Sequence, residues 1–200
     1  MNTPNKLTVL RILLVPFFVA FLLLNSVKHH FLIATIIFMV AAFTDHLDGK
    51  IARERGLVTN FGKFADPLAD KIMTMAAFIS FVELGLIGSC AAIIILAREF
   101  MVTSIRLVAA SSGKVVAANM WGKAKTVSQI LAILITMVVQ YIKELVYMGL
   151  IRFNGVNSAS YFCEVADLVS KYSIWISVLL TVVSGIIYVL DNKEFIKQTK

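Results

Sequence analysis

Charge is scarce in this chain. Asp, Glu, Lys and Arg make up 16% of its 200 residues, while 59% are hydrophobic; soluble domains carry roughly 25% and 45–50%. A soluble core of this size would leave much of that apolar surface in water, so the bilayer is the expected solvent. Three prolines and ten glycines are too few for a collagen-like or low-complexity chain. Two cysteines, Cys90 and Cys163, cannot build a disulfide scaffold, show no CxxC spacing, and read as small hydrophobes. There is no internal repeat and no linker between domains. No small-residue cleavage site follows the first apolar run, which is therefore expected to be a retained span rather than a signal peptide.

What is present is a series of apolar runs of membrane length, at approximately 7–24, 31–49, 67–86, 88–110, 126–148 and 171–190. Each suits a helix crossing ~30 Å of hydrocarbon, where a helix satisfies its own backbone polar groups. The expectation is an all-α integral membrane protein with six transmembrane helices in one membrane-embedded domain, residues 1–200. The polar stretch 149–170 is expected to be an external loop, and 191–200 a frayed tail. With both termini on one side, 15 of the 19 Lys and Arg fall on that side, and only Lys28, Lys143, Arg152 and Lys171 on the other. That asymmetry marks the first side as cytoplasmic, and it accounts for the formal charge of +7 without nucleic acid. Arg11, one turn into the first run, has the position of a side chain that snorkels to headgroups. His29 and His30 read as an interfacial pair, and Trp121 and Trp175 as interface anchors.

Five of the 12 acidic residues crowd into 26 positions: Asp45, Asp48, Glu54, Asp66 and Asp70. Ionisable groups near membrane depth are costly, about 2.5 kcal/mol or more at a span centre, and by default signal function. Asp45 and Asp48 are three apart, Asp66 and Asp70 four apart, so on helices each pair projects from one face. Two such helix ends meeting across a short turn would bring four carboxylates together, where like charges repel unless cations sit between them. Oxygen-only ligands suit Mg²⁺, Mn²⁺ or Ca²⁺ rather than zinc. Gly49, Ala52 and Gly62 leave room for a ligand to approach. Arg53 and Lys63 add the positive charge that a site handling metal and phosphate needs.

Read literally, the stretch is Asp45-x-x-Asp48-Gly49-x-x-Ala52-Arg53, eight residues, then Gly62-x-x-x-Asp66-x-x-x-Asp70. It resembles the signature of the CDP-alcohol phosphotransferase family at every defining position. The segments from Pro4 to Arg11, Phe61 to Lys71, Ala97 to Glu99 and Gly122 to Thr126 are similar to the bacterial phosphatidylglycerophosphate-forming branch, so the likeness runs from about Asn2 to Gln129. The resemblance implies six-helix enzymes of the bacterial cell membrane, usually homodimers, with the site open to the cytoplasm. It implies CDP-diacylglycerol as donor, sn-glycerol 3-phosphate as acceptor, and two Mg²⁺ or Mn²⁺ ions. It makes Asp45, Asp48, Asp66 and Asp70 the metal ligands, with Asp70 also the base. Asn5, Thr8, Thr44, Gly49, Ala52, Arg53 and Gly62 are the expected nucleotide contacts. Arg98, Arg106, Lys114, Lys123 and Lys125 are the candidates for the acceptor's phosphate, Arg98 and Arg106 foremost because they are embedded in an apolar run. Blander roles stand beside these: Arg98 and Glu99 as a structural ion pair, Lys114 and Lys123 as contacts to lipid heads.

Competing readings are another member of the same family that forms phosphatidylserine, phosphatidylinositol or cardiolipin, a divalent-cation transporter, and a non-catalytic lipid-binding scaffold. Transporters hold their acids near the midplane in repeated halves. Here the acids lie at a membrane edge and no repeat is present.

Overall fold

A computed structural model describes residues 3–55, 60–111, 120–152 and 156–193; for 3–5, 45–55, 60–68, 70, 110–111 and 156–157 it describes the backbone only. Six helices run through the described residues: α1 (Thr3–Leu23), α2 (His30–Arg55), α3 (Asn60–Glu83), α4 (Ser89–Ser111), α5 (Met120–Tyr147) and α6 (Val156–Asp191). By length and composition, Lys6–Leu23, Met120–Tyr147 and Ser158–Asp191 are sufficient to cross a membrane. α4 is as apolar but carries Arg98, Glu99 and Arg106 in its interior. Only 22%, 28% and 39% of the three qualifying stretches is buried inside the bundle. The rest turns large side chains such as Leu13, Phe17, Ile176 and Leu179 outward, which is stable in lipid and not in water. The protein is an all-α membrane protein.

α1 packs on α2 and α3, α6 packs on α4 and α5, and α5 joins the two groups through α2 and α3. The core lies where they meet, around Phe18, Phe38, Phe78, Phe81, Ile95, Ile133 and Met137. The Phe18 and Phe38 rings are 5.8 Å apart. Buried hydroxyls bond back to their own helices, as Thr35 to the Phe31 carbonyl at 2.7 Å and Thr136 to that of Ala132 at 2.8 Å. Such bonds let polar residues face an apolar interior.

Helix ends are set by local chemistry. Gly85 and Gly149 have φ of 69° and 72°, the left-handed conformation that costs glycine least. At each, paired bonds close the helix: Leu86 N to Phe81 O and Gly85 N to Val82 O, then Leu150 N to Leu145 O and Gly149 N to Val146 O, all between 2.9 and 3.1 Å. This is the Schellman closure. In the α1–α2 turn His29 takes φ 60° without being glycine, and its Nδ1 lies 3.3 Å from the Tyr141 hydroxyl of α5. The neighbouring His30 is 6% exposed and lies against the Phe31 ring.

Two expectations are corrected. The external loop 149–170 is, from Val156 onward, the first four turns of α6. Its serines made it read as a loop, yet 156–170 holds neither Gly nor Pro, and helical spacing lets Ser170 bond the Ala166 carbonyl at 3.2 Å. Asp167, on those turns, accepts from Lys143 at 2.6 and 2.7 Å and from Gln140 at 3.2 Å, tying α6 to α5. Arg11 does not snorkel: it is 2% exposed and faces inward, beside Phe38, Met73, Thr74 and Ile130.

Candidate active site

The last three turns of α2 carry positions 45, 48, 49, 52 and 53, and the first three turns of α3 carry 62, 66 and 70. α2 and α3 touch one another. The side chains of Asn5, Asp45, Asp48, Gly49, Ala52, Arg53, Gly62, Asp66 and Asp70, and the whole of Lys114, lie outside the described residues. Among those described, no group of three or more His, Cys, Asp or Glu side chains forms a metal cluster. The donor set expected from the sequence, four carboxylates without sulfur or imidazole, would fit hard divalent cations. Thr8 is fully buried, and Thr44 donates to the Ala41 carbonyl at 2.8 Å within its own helix.

One residue beyond Asp70, the described structure opens into a cavity of about 880 Å³. Lys71 and Thr74 of α3, Arg98 to Arg106 of α4, and Gly122 to Ile130 of α5 form its walls. Because successive helices run in opposite directions, the early turns of α3 and α5 and the late turns of α4 meet at one end. The structure thus brings together four of the five residues expected to receive a phosphate: Arg98, Arg106, Lys123 and Lys125. To these it adds Lys71, so among the described residues the cavity is lined by five cations and one carboxylate, Glu99.

The five are not equivalent. Lys125 is 4% exposed and Glu99 5%, and the two form an ion pair. Arg98 reaches the same carboxylate at 3.5 Å through Nη1 and donates from Nη2 to Ser184 Oγ at 2.7 Å. Its Nε–H is buried and has no acceptor among the described residues. The expected Arg98–Glu99 pair is therefore real, but Lys125 is the carboxylate's closer partner. Lys71 donates to the hydroxyl of Thr103, which itself bonds the Glu99 carbonyl at 2.7 Å. Arg106 and Lys123 are exposed at the mouth, and the Arg106 guanidinium lies 5.6 Å from the Tyr188 ring centroid. Cations held this way, deep ones anchored and outer ones exposed, attract an anion from water and bond it through charge-assisted hydrogen bonds.

Sequence reading missed Lys71, Glu99 as a wall residue, and the polar face of α6. Lys71 had a signal, adjacency to Asp70. Nothing in the order of residues brings Ser184 to Arg98, 86 positions away.

The chain matches the family described as CDP-alcohol phosphatidyltransferase over residues 1–183. It is 40% identical to a Bacillus subtilis protein named CDP-diacylglycerol–glycerol-3-phosphate 3-phosphatidyltransferase, across 98% of this chain and 97% of that one. A Rickettsia bellii protein of the same name is 31% identical across 97% of both chains. A Mycobacterium tuberculosis protein named probable phosphatidylglycerophosphate synthase is 40% identical over 66% of this chain and 64% of its own.

Proposed function

The chain belongs to the CDP-alcohol phosphatidyltransferase family, and from that premise we propose that it transfers the phosphatidyl group of CDP-diacylglycerol to sn-glycerol 3-phosphate, giving phosphatidylglycerophosphate and CMP. The observation that carries the choice of acceptor is the cavity beside Asp70, with five cationic side chains around it. Serine is a zwitterion and inositol is neutral; neither needs such a lining. A phosphomonoester dianion does. The names of the similar proteins point the same way.

The family is generally dependent on a divalent metal. Asp45, Asp48, Asp66 and Asp70 would hold two such ions, Mg²⁺ or Mn²⁺. Bound there, the ions supply neutralisation of the pyrophosphate and of the departing CMP. The protein's own groups do the rest. Asp70 takes the proton from the acceptor hydroxyl as its oxygen bonds to the phosphorus carrying diacylglycerol and the bond to CMP breaks. Gly49, Ala52 and Gly62 leave room for cytosine and ribose, with Thr44 and Arg53 as polar contacts to CMP and Asn5 and Thr8 bonding its phosphate. Arg98, Arg106, Lys123 and Lys125, with Lys114, hold the acceptor's phosphate and so fix the hydroxyl within reach of Asp70. The Lys and Arg asymmetry supports a site opening to the cytoplasm, with both termini on that side of a bacterial cell membrane. Residues 1–200 act as one membrane-embedded catalytic domain, working as a homodimer.

The test is an acceptor panel on purified protein with CDP-diacylglycerol, with and without Mg²⁺ or Mn²⁺. Metal-dependent CMP release with label entering lipid from glycerol 3-phosphate is expected. Label entering from serine, inositol or phosphatidylglycerol instead would refute the acceptor, and no CMP release with any of them would refute the transferase reading.

A further inference from the structure

Along α6, Ser170, Ser173, Ser177, Thr181, Ser184 and Tyr188 follow one another at steps of three and four residues, which keeps them on one face. All except the half-buried Ser173 are buried. A polar stripe inside an apolar bundle needs partners. Ser170 and Ser173 find theirs in their own helix. The three toward the C-terminal end do something different: each meets a residue of the cavity wall. Thr181 Oγ1 accepts from Gln129 Nε2 at 3.2 Å, Ser184 Oγ accepts from Arg98 at 2.7 Å, and the Tyr188 ring underlies Arg106. Among the described residues lining that cavity, none belongs to α6. It stands behind the wall.

The contact with Arg98 is steric as well as polar. A Cβ on Gly185 would lie 3.1 Å from Arg98 Cγ and 3.9 Å from its Nε. The arginine's stem therefore rests on the bare backbone of α6, and its guanidinium is turned by the hydroxyl one residue earlier. Arg98 has many rotamers, and freezing it costs entropy that a ligand would otherwise have to supply on binding. A planar fork gains most when it is already oriented.

We propose that Thr181, Ser184, Gly185 and Tyr188 are positioning residues for the acceptor pocket: they hold Gln129, Arg98 and Arg106 in place from behind and so set affinity for the acceptor's phosphate without touching it. This rests on reading the cavity as the glycerol 3-phosphate site.

The experiment is steady-state kinetics on the full chain, with glycerol 3-phosphate and CDP-diacylglycerol varied separately and melting followed in parallel. Ser184→Ala is expected to raise KM for glycerol 3-phosphate about 5- to 10-fold, the scale of one net intramolecular hydrogen bond, with kcat, KM for CDP-diacylglycerol and melting little changed. Ser184→Thr, which keeps the hydroxyl, should stay near the parent, and Gly185→Ala should resemble Ser184→Ala. In an Arg98→Ala background, or in Arg98→Lys where the charge is needed for folding, Ser184→Ala should add nothing further. A purely structural role would shift both KM values, kcat and melting together, and would add to the Arg98 change; either result overturns the positioning role. So does an unchanged KM in Ser184→Ala when Arg98→Ala raises it. If neither Arg98 variant alters KM for glycerol 3-phosphate, the cavity is not the acceptor site, a separate failure that the Arg98 variants alone reveal.

Discussion

Glu99→Gln isolates the electrostatics of the cavity wall. The carboxylate is 5% exposed and lies between Lys125, 4% exposed, and the Arg98 guanidinium at 3.5 Å. Two cations and one anion thus share a nearly dry wall. Replacing the acid with its neutral isostere keeps shape and one acceptor, and leaves two uncompensated positive charges. Removing one partner of a buried ion pair costs about 3–5 kcal/mol. The remaining amide oxygen and the open cavity beside it place this case at the lower end, about 3 kcal/mol. At about 2–4 °C per kcal/mol for a chain of this size, melting should fall by about 6–12 °C. The assay is thermal unfolding of the detergent-solubilised protein, followed by tryptophan fluorescence at several scan rates. Adding Lys125→Met restores the wild-type balance of one net positive charge, and should recover about half of the loss, since apolar replacement of a buried pair is often near neutral. A single variant melting within about 2 °C of the parent would refute the view of these three side chains as a coupled buried cluster.

The other expectations are simpler. Asp70→Asn should abolish metal-dependent CMP release while membrane insertion and melting are kept; retained turnover would remove Asp70 from the chemistry. Chelation should silence the purified protein, and Mg²⁺ or Mn²⁺ should restore it, as read by CMP release. Phe17 and Phe18 are neighbours at 58% and 0% exposure. Phe18→Ala should therefore cost about 3–5 kcal/mol and Phe17→Ala well under about 1 kcal/mol, so similar melting shifts would contradict the burial pattern. Lys143→Met, breaking a bridge whose Asp167 partner is 52% exposed, should cost at most about 1 kcal/mol in the same melting assay.

Much of the fold was legible without coordinates because hydrocarbon leaves a chain few choices: six apolar runs in a bilayer become six helices. Their ends were less so. α3 begins at Asn60 and α5 at Met120, each several residues before its apolar run, and α6 at Val156, because a helix can continue through polar residues beyond its apolar span, here even through Gly62 in α3 and Gly122 in α5. Serine-rich residues 156–170 looked like a loop by composition, yet their hydroxyls bond helix carbonyls and Asp167 meets Lys143. Arg11 looked like a snorkelling residue because position in a run says nothing of which way the helix is turned.

The acidic stretch from Asp45 to Asp70 and the four later cations were readable as residue types, since charge near a membrane is rare enough to stand out. Length, hydropathy and charge asymmetry sufficed for the class of protein, and the resemblance carried by the spaced acidic signature pointed to its family, because both depend only on which residues occur and in what order. Which cations share one space was decided only in three dimensions. Lys71, Arg98, Arg106, Lys123 and Lys125 come from three helices, and Ser184 reaches Arg98 from a fourth. Such meetings depend on the rotation and crossing of packed helices, quantities that emerge from side-chain packing and that no spacing along a single chain encodes.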